Sequence, residues 1–202
     1  MADSVLTPPD HTAPLVFTRA QLEWLPWLEP LAVDALTARH VASLVDAARV
    51  KSPYFRLLAR DPDALEARTR TDKDIFYNPD AGLPRAEREL AAAATSRFNG
   101  CLYCASVHAR HAATYSKRED DVDRLLETGV ATDLGERWNA IVAASVALTA
   151  TPSAFGPEHV ERLRRAGLDD LAISDVIHAA AFFNWANRLM LSLGEPAAPA
   201  TP

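Results

Sequence analysis

Residues 85–116 read RAERELAAAATSRFNGCLYCASVHARHAATYS. Pro84 suits the first turn of a helix over Arg85–Phe98, and four consecutive alanines follow Leu90. Alanine is the strongest helix former. Asn99-Gly100 stops that helix, because both residues tolerate the left-handed conformation that closes helices. A second helix begins near Cys101 and runs to about Tyr115. A stop this short folds the two helices back as a hairpin at about 84–115.

The rest of the chain shows the same 3.6-residue period, and no stretch reads as a strand. A helical pattern covers about Pro30–Val50, and short pieces follow to about Arg70. Residues 72–82 are polar and turn-rich around Asn78-Pro79-Asp80. Ser116 with Glu119 forms a capping box for the next helix. Asp133 caps a long apolar helix to about Ala150, and Ser174 caps a last one over Asp175–Leu193. The expected class is all-α, with seven or eight helices. Residues 1–30 are expected to form a flexible lead, 31–195 a single helical domain and 196–202 a tail.

Composition agrees. Ala and Leu supply about 30% of 202 residues, and Gly only 7. Apolar residues at 49% and charged residues at 24% fit a globular chain with a real core. A net charge of −6 without a long basic run argues against nucleic acid as partner. The longest apolar run, Ala140–Ala150, has 11 residues, short of the roughly 20 that cross a membrane. Residues 1–17 carry Asp3, Asp10 and three prolines and do not read as a signal peptide. The expected compartment is the cytoplasm, where two cysteines point to redox or metal chemistry rather than a structural staple.

Cys101 and Cys104 share a helix face, with Cα atoms about 5–6 Å apart, within disulfide reach. A helix start lowers a thiol's pKa through free N–H groups and the dipole. His108 lies one turn past Cys104 and leans back toward it. In a hairpin, either Glu87 or Glu89 returns beside His108, and a carboxylate orienting an imidazole that serves a thiol makes an activated nucleophile. The competing readings are two buried small residues, a structural His108, a solvated Glu89 in the charged run, and a metal site. Cys101, Cys104, His108 and His111 would spread over about 15 Å of one helix. That is too far for four metal bonds of about 2.0–2.3 Å. Haem c attachment needs His directly after the second Cys, where Ala105 stands. His111 reads as structural, and Tyr103 as a packing residue off the thiol face.

The full pattern resembles the AhpD-like (carboxymuconolactone decarboxylase-like) superfamily, and within it the peroxidase-related, alkylhydroperoxidase branch. Glu89 is followed by Cys101 after twelve residues, Cys104 after three more and His108 after four more. Asn78–Leu83 and the segment Phe183-Asn184-x-x-Asn187-Arg188 with Leu193-Gly194 extend the likeness over about residues 40–194. The resemblance implies an antiparallel helical core, a homo-oligomer such as a trimer or hexamer, and thiol-dependent reduction of hydroperoxides. It makes Cys104 the peroxidatic nucleophile, Cys101 the resolving thiol, His108 the proton relay and Glu89 its partner. Tyr103 stands where the best-known alkylhydroperoxidases carry His, which leaves substrate and reductant open. No nicotinamide or flavin fingerprint is present, so no bound cofactor or metal is expected and electrons must come from an external dithiol, lipoyl or thioredoxin-like. Two rival functions are a redox adaptor or sensor without fast peroxide turnover, and a decarboxylase-type lyase using His108 and Glu89. Trp24, Trp27, Phe182, Phe183 and Trp185 supply aromatics for the core or for a subunit interface.

Overall fold

The alanine run is the axis of the molecule. In the computed structural model, which describes residues 5–7 and 13–198, it lies in α4 (Arg85–Phe98), whose residues 87–96 are all buried. Side chains this small let neighbours approach near the short end of the 8–10 Å helix spacing. Helix α5 (Leu102–Ser116) folds back along α4 and meets it with Ala105, Ala109 and Ala112, all buried. Helices α7 (Glu136–Thr149) and α9 (Asp170–Leu193) pack on its other sides. The hairpin and the helical class stand as expected.

The remaining helices close the bundle. They are α1 (Ala38–Ser43), α2 (Pro53–Leu58), α3 (Pro62–Tyr77), α6 (Glu119–Thr128) and α8 (Pro157–Arg165). The described residues thus hold nine α-helices rather than seven or eight. The pattern over 30–50 is not one helix. Leu36 is extended and Val45 sits at φ 61°, so it breaks into α1 and two short 3₁₀ helices, Val33–Ala35 and Ala47–Lys51. Helix α3 runs on to Tyr77 through the stretch that reads as a turn.

Caps move as well. Ser116 ends α5, and its hydroxyl accepts from the Arg118 amide instead of capping α6. Asp133 accepts from Gly135 N–H, but Gly135 is the cap of α7. Asp169, not Ser174, caps α9, accepting from Ala172 N–H at 2.8 Å; the helix therefore starts one turn early.

The described residues also hold a pair of strands, where none was expected. β1 (Glu23–Pro26) runs antiparallel to β2 (Gly194–Ala197), with Trp24 opposite Pro196 and Pro26 opposite Gly194. The pair clasps the N-terminal segment to the end of α9, and Trp27 N–H donates to Leu193 C=O at 2.8 Å. Phe17 packs on the core under the Arg97 guanidinium, and Arg19 grips Asp123 through two N–H groups. Residues 17–30, expected within a flexible lead, are tied to the bundle by these contacts, and 196–197 are paired rather than a free tail. The expectations for residues 1–4, 8–12 and 199–202 lie outside the described residues. Among the described residues no helix is long and apolar enough to cross a membrane.

Candidate active site

The α4–α5 turn sets the two thiols. Asn99 closes α4, and Gly100 takes φ +77°, a conformation that strains any residue with a Cβ. The chain then returns so that Cys101 N–H donates to Ser96 C=O at 2.9 Å. Cys101 is the cap of α5 rather than its first helical residue, and Ala105 N–H donates back to Cys101 C=O. Both cysteines are free thiols in an apolar cluster with Trp24, Phe182, Phe183 and Met190. Cys101 is 2% exposed and Cys104 6%.

The sulfurs are hydrogen-bonded to one another, and that bond splits their acidities. The hydrogen bond from Cys104 pulls the Cys101 thiol below the ordinary cysteine value, against the cost of burial. The same neighbour, with burial, pushes Cys104 well above it. The first proton of the pair therefore leaves from Cys101, and Cys104 holds the second. Asn187 lowers both thiols through hydrogen bonds. It is fully buried and doubly anchored: its Nδ2 donates to Ser96 Oγ at 3.0 Å, and its Oδ1 accepts from Asn99 Nδ2 at 3.1 Å. The turn residue Asn99 is thus tied to the amide that serves the sulfurs.

Of the two candidate carboxylates, Glu89 is the one that returns to His108. Its Oε2 lies 2.5 Å from His108 Nδ1, and its Oε1 accepts from Arg85 Nε at 2.6 Å. Burial pushes the Glu89 carboxyl up, but His108 and Arg85 outweigh it and hold the group below the usual carboxylate range. Ionised Glu89 therefore accepts from Nδ1–H and leaves Nε2 as the imidazole's free nitrogen. Phe183 and Phe76 flank the ring at centroid distances of 3.9 and 5.3 Å and fix its plane. Glu87 points elsewhere and pairs with Arg137 through both oxygens at 2.7 Å.

Cys104, His108 and Glu89 line one cavity of about 220 Å³, a volume suited to a ligand smaller than a drug-sized molecule. Cys101 lies behind Cys104, outside the lining. Tyr103, read as packing, lines this cavity, and burial raises its hydroxyl's pKa. His111 lines it too, stacked on Tyr115. The Cys101, Cys104, His108 and His111 set does not converge. Among the described residues no group of three or more His, Cys, Asp or Glu is placed to hold a metal ion.

Sequence reasoning did not find Arg68 and Tyr54 as parts of this wall, or Asn187 as the amide that serves the sulfurs. Asn187 stands inside a motif that carried the resemblance, so a signal for it existed. Arg68 sits among the charges of α3 and reads as solvated.

Residues 62–147, from α3 to α7, match the carboxymuconolactone decarboxylase family. No curated protein matches the sequence. Among solved structures, an uncharacterized peroxidase-related protein with an alkylhydroperoxidase AhpD core, from Ralstonia eutropha JMP134, is similar at 24% identity and TM-score 0.68; the likeness covers 81% of this chain and 87% of that one. A peroxidase-related protein from Silicibacter sp. TM1040 is similar at 21% identity and TM-score 0.67, over 96% of each chain. The debrominase Bmp8 is similar at 19% identity and TM-score 0.66, over 81% of this chain and 88% of that one. At these identities the likeness is one of fold. The family match spans the hairpin, and beyond it the chain shares the AhpD-like helical fold.

Proposed function

We propose that the protein reduces small organic hydroperoxides with the Cys101–Cys104 pair. The observation that carries this reading is the adjacent thiol pair, with one sulfur in a cavity wall that also holds the Glu89–His108 pair. Cys104 faces the cavity and gives its proton to the Glu89–His108 pair, with Cys101 behind it as the resolving thiol. The Cys104 thiolate attacks the distal peroxide oxygen. The O–O bond breaks, an alcohol leaves once protonated, and Cys104 becomes a sulfenic acid. His108 supplies or removes protons across the cavity through substrate or water, held in one tautomer by Glu89. Cys101 then displaces water from the sulfenic acid to form a disulfide, and an external dithiol restores both thiols by exchange. The depth of the pair favours a slender donor, a lipoyl arm or small dithiol, over the broad face of a thioredoxin.

The aromatic cavity wall supports a second reading, reductive dehalogenation of a small haloaromatic; the debrominase Bmp8, also seen in complex with 2,3,4-tribromopyrrole, shares the fold. There the thiolate takes the halogen, the ring carbon takes a proton, and Cys101 displaces halide to give the same disulfide.

The test is stopped-flow loss of free thiols when reduced protein meets cumene hydroperoxide. Two thiols per chain should disappear rapidly. Cys104→Ser should abolish the reaction, and Cys101→Ser should leave a dimedone-reactive sulfenic acid on Cys104. Loss no faster than that of a free model thiol overturns the proposal and favours a redox adaptor. Bromide release from 2,3,4-tribromopyrrole with no peroxide reaction favours the dehalogenase.

A further inference from the structure

The charges around the cavity balance, with one exception. Arg49 pairs with Asp72 at 3.0 Å, and Arg85 pairs with Glu89. Arg68 lines the same cavity at 8% exposure and has no carboxylate within ion-pair distance among the described residues. Its Nε and Nη1 are sealed from solvent without a hydrogen-bond partner. The rings of Phe182, Phe55 and Tyr54 surround its guanidinium at 5.3–5.7 Å. Ring faces soften a cation but leave its N–H donors unmatched. The Tyr54 hydroxyl, sealed from solvent, lies beside it, with Arg68 as its polar neighbour and both sulfurs within its field. A buried cation without a carboxylate and a buried hydroxyl thus lie side by side in the wall of the chamber that holds Cys104. Phe76, Phe183 and Met190 give the lining an apolar part.

We propose that Arg68 and Tyr54 form an anion-binding end of this cavity, and that the substrate is a small organic hydroperoxide carrying a carboxylate. A planar carboxylate suits the guanidinium fork and brings the single negative charge that one unmatched cation needs. A phosphate ester, with nearly two charges, would leave charge uncompensated. The apolar lining takes the body of the molecule, and its far end presents the peroxide to Cys104. The hydroperoxide rests on the function proposed above; the carboxylate does not.

Two measurements test the site. The first is calorimetric binding of phenylacetate and of its methyl ester, neither of which can oxidise a thiol, to the reduced protein. The acid should bind about tenfold tighter or better, the scale of a charge-assisted hydrogen bond. Arg68→Gln should bring the two to parity, Arg68→Lys should keep part of the preference, and Tyr54→Phe, which removes one oxygen, should weaken the acid alone. The second is the rate of thiol loss with 4-carboxycumene hydroperoxide against its methyl ester, read as a ratio so that general changes in thiol reactivity cancel. That ratio should fall in Arg68→Gln. If phenylacetate binds through Arg68 and neither hydroperoxide reacts, the peroxide function falls and the anion site stands. If both hydroperoxides react equally fast and phenylacetate binds no better than its ester, the anion site falls and the peroxide function stands. Should Arg68→Gln not fold, Tyr54→Phe decides: an unchanged preference for the acid overturns the proposal.

Discussion

At the scale of single residues, Glu89 holds the two sides of the site together. It is buried, accepts from both Arg85 and His108, and is kept ionised by them. Glu89→Gln keeps the shape but removes the charge that orients the imidazole. A relay of this kind contributes about 10²–10⁴-fold to rate, and peroxide-driven thiol loss should fall within that range. Stability carries the same signature. The folded carboxyl titrates below its unfolded value of about 4.3, so its contribution is complete above that pH and disappears as the pH falls through the depressed folded value. Urea midpoints should therefore separate wild type from Glu89→Gln at pH 7 and converge on acidification; a gap that stays constant would show that the charge is not what stabilises. Spacing left Glu89 and Glu87 both open, because it does not fix the helix rotation in the hairpin, and only the resemblance singled out Glu89. Arg68 left no local trace, since only the packing of α2 and α9 over α3 separates it from the neighbouring exposed arginines.

At the scale of elements, the hairpin was legible and the strands were not. Leu90, the alanine run and Asn99-Gly100 carry their structure locally. β1 and β2 read EWLP and GEPA, short and proline-bearing without alternation, and exist only because each edge finds the other. The caps of α6, α7 and α9 were misplaced for a related reason: Asp169 takes α9 ahead of Ser174, while α6 and α7 start at Arg118 and Gly135, which cap without a side-chain hydrogen bond. Two substitutions separate these cases. Leu90→Ala empties a fully buried site on α4 and should cost about 2–5 kcal/mol in chemical denaturation. Gly194→Ala places a Cβ 2.3 Å from the Leu25 carbonyl oxygen and 2.4 Å from the Trp24 ring. It should open the strand pair, with faster amide exchange over 23–27, and leave the hairpin amides protected.

For the whole molecule, the aromatics named from the sequence divide. Trp24, Phe182 and Phe183 are buried and Trp27 half-buried, while Trp185 on α9 is 45% exposed. The homo-oligomer implied by the resemblance is a proposal, with Trp185 its marker: light scattering should give a multiple of 22.0 kDa, and Trp185→Glu should lower it. A 22.0 kDa species for the unmodified protein would overturn this. The position of the thiols at the start of α5 also has a dynamic consequence. Cys101 caps the helix, and Cys104 lies in the turn that the Ala105 amide closes onto Cys101. Helix ends fray, but a covalent bond across that turn would stop the fraying at its source. Each catalytic turnover would then tighten and release the first turn of a helix at the centre of the bundle. Deuterium uptake at the Ala105 amide, slow when the pair is oxidised and faster when it is reduced, would serve as a clock of the cycle.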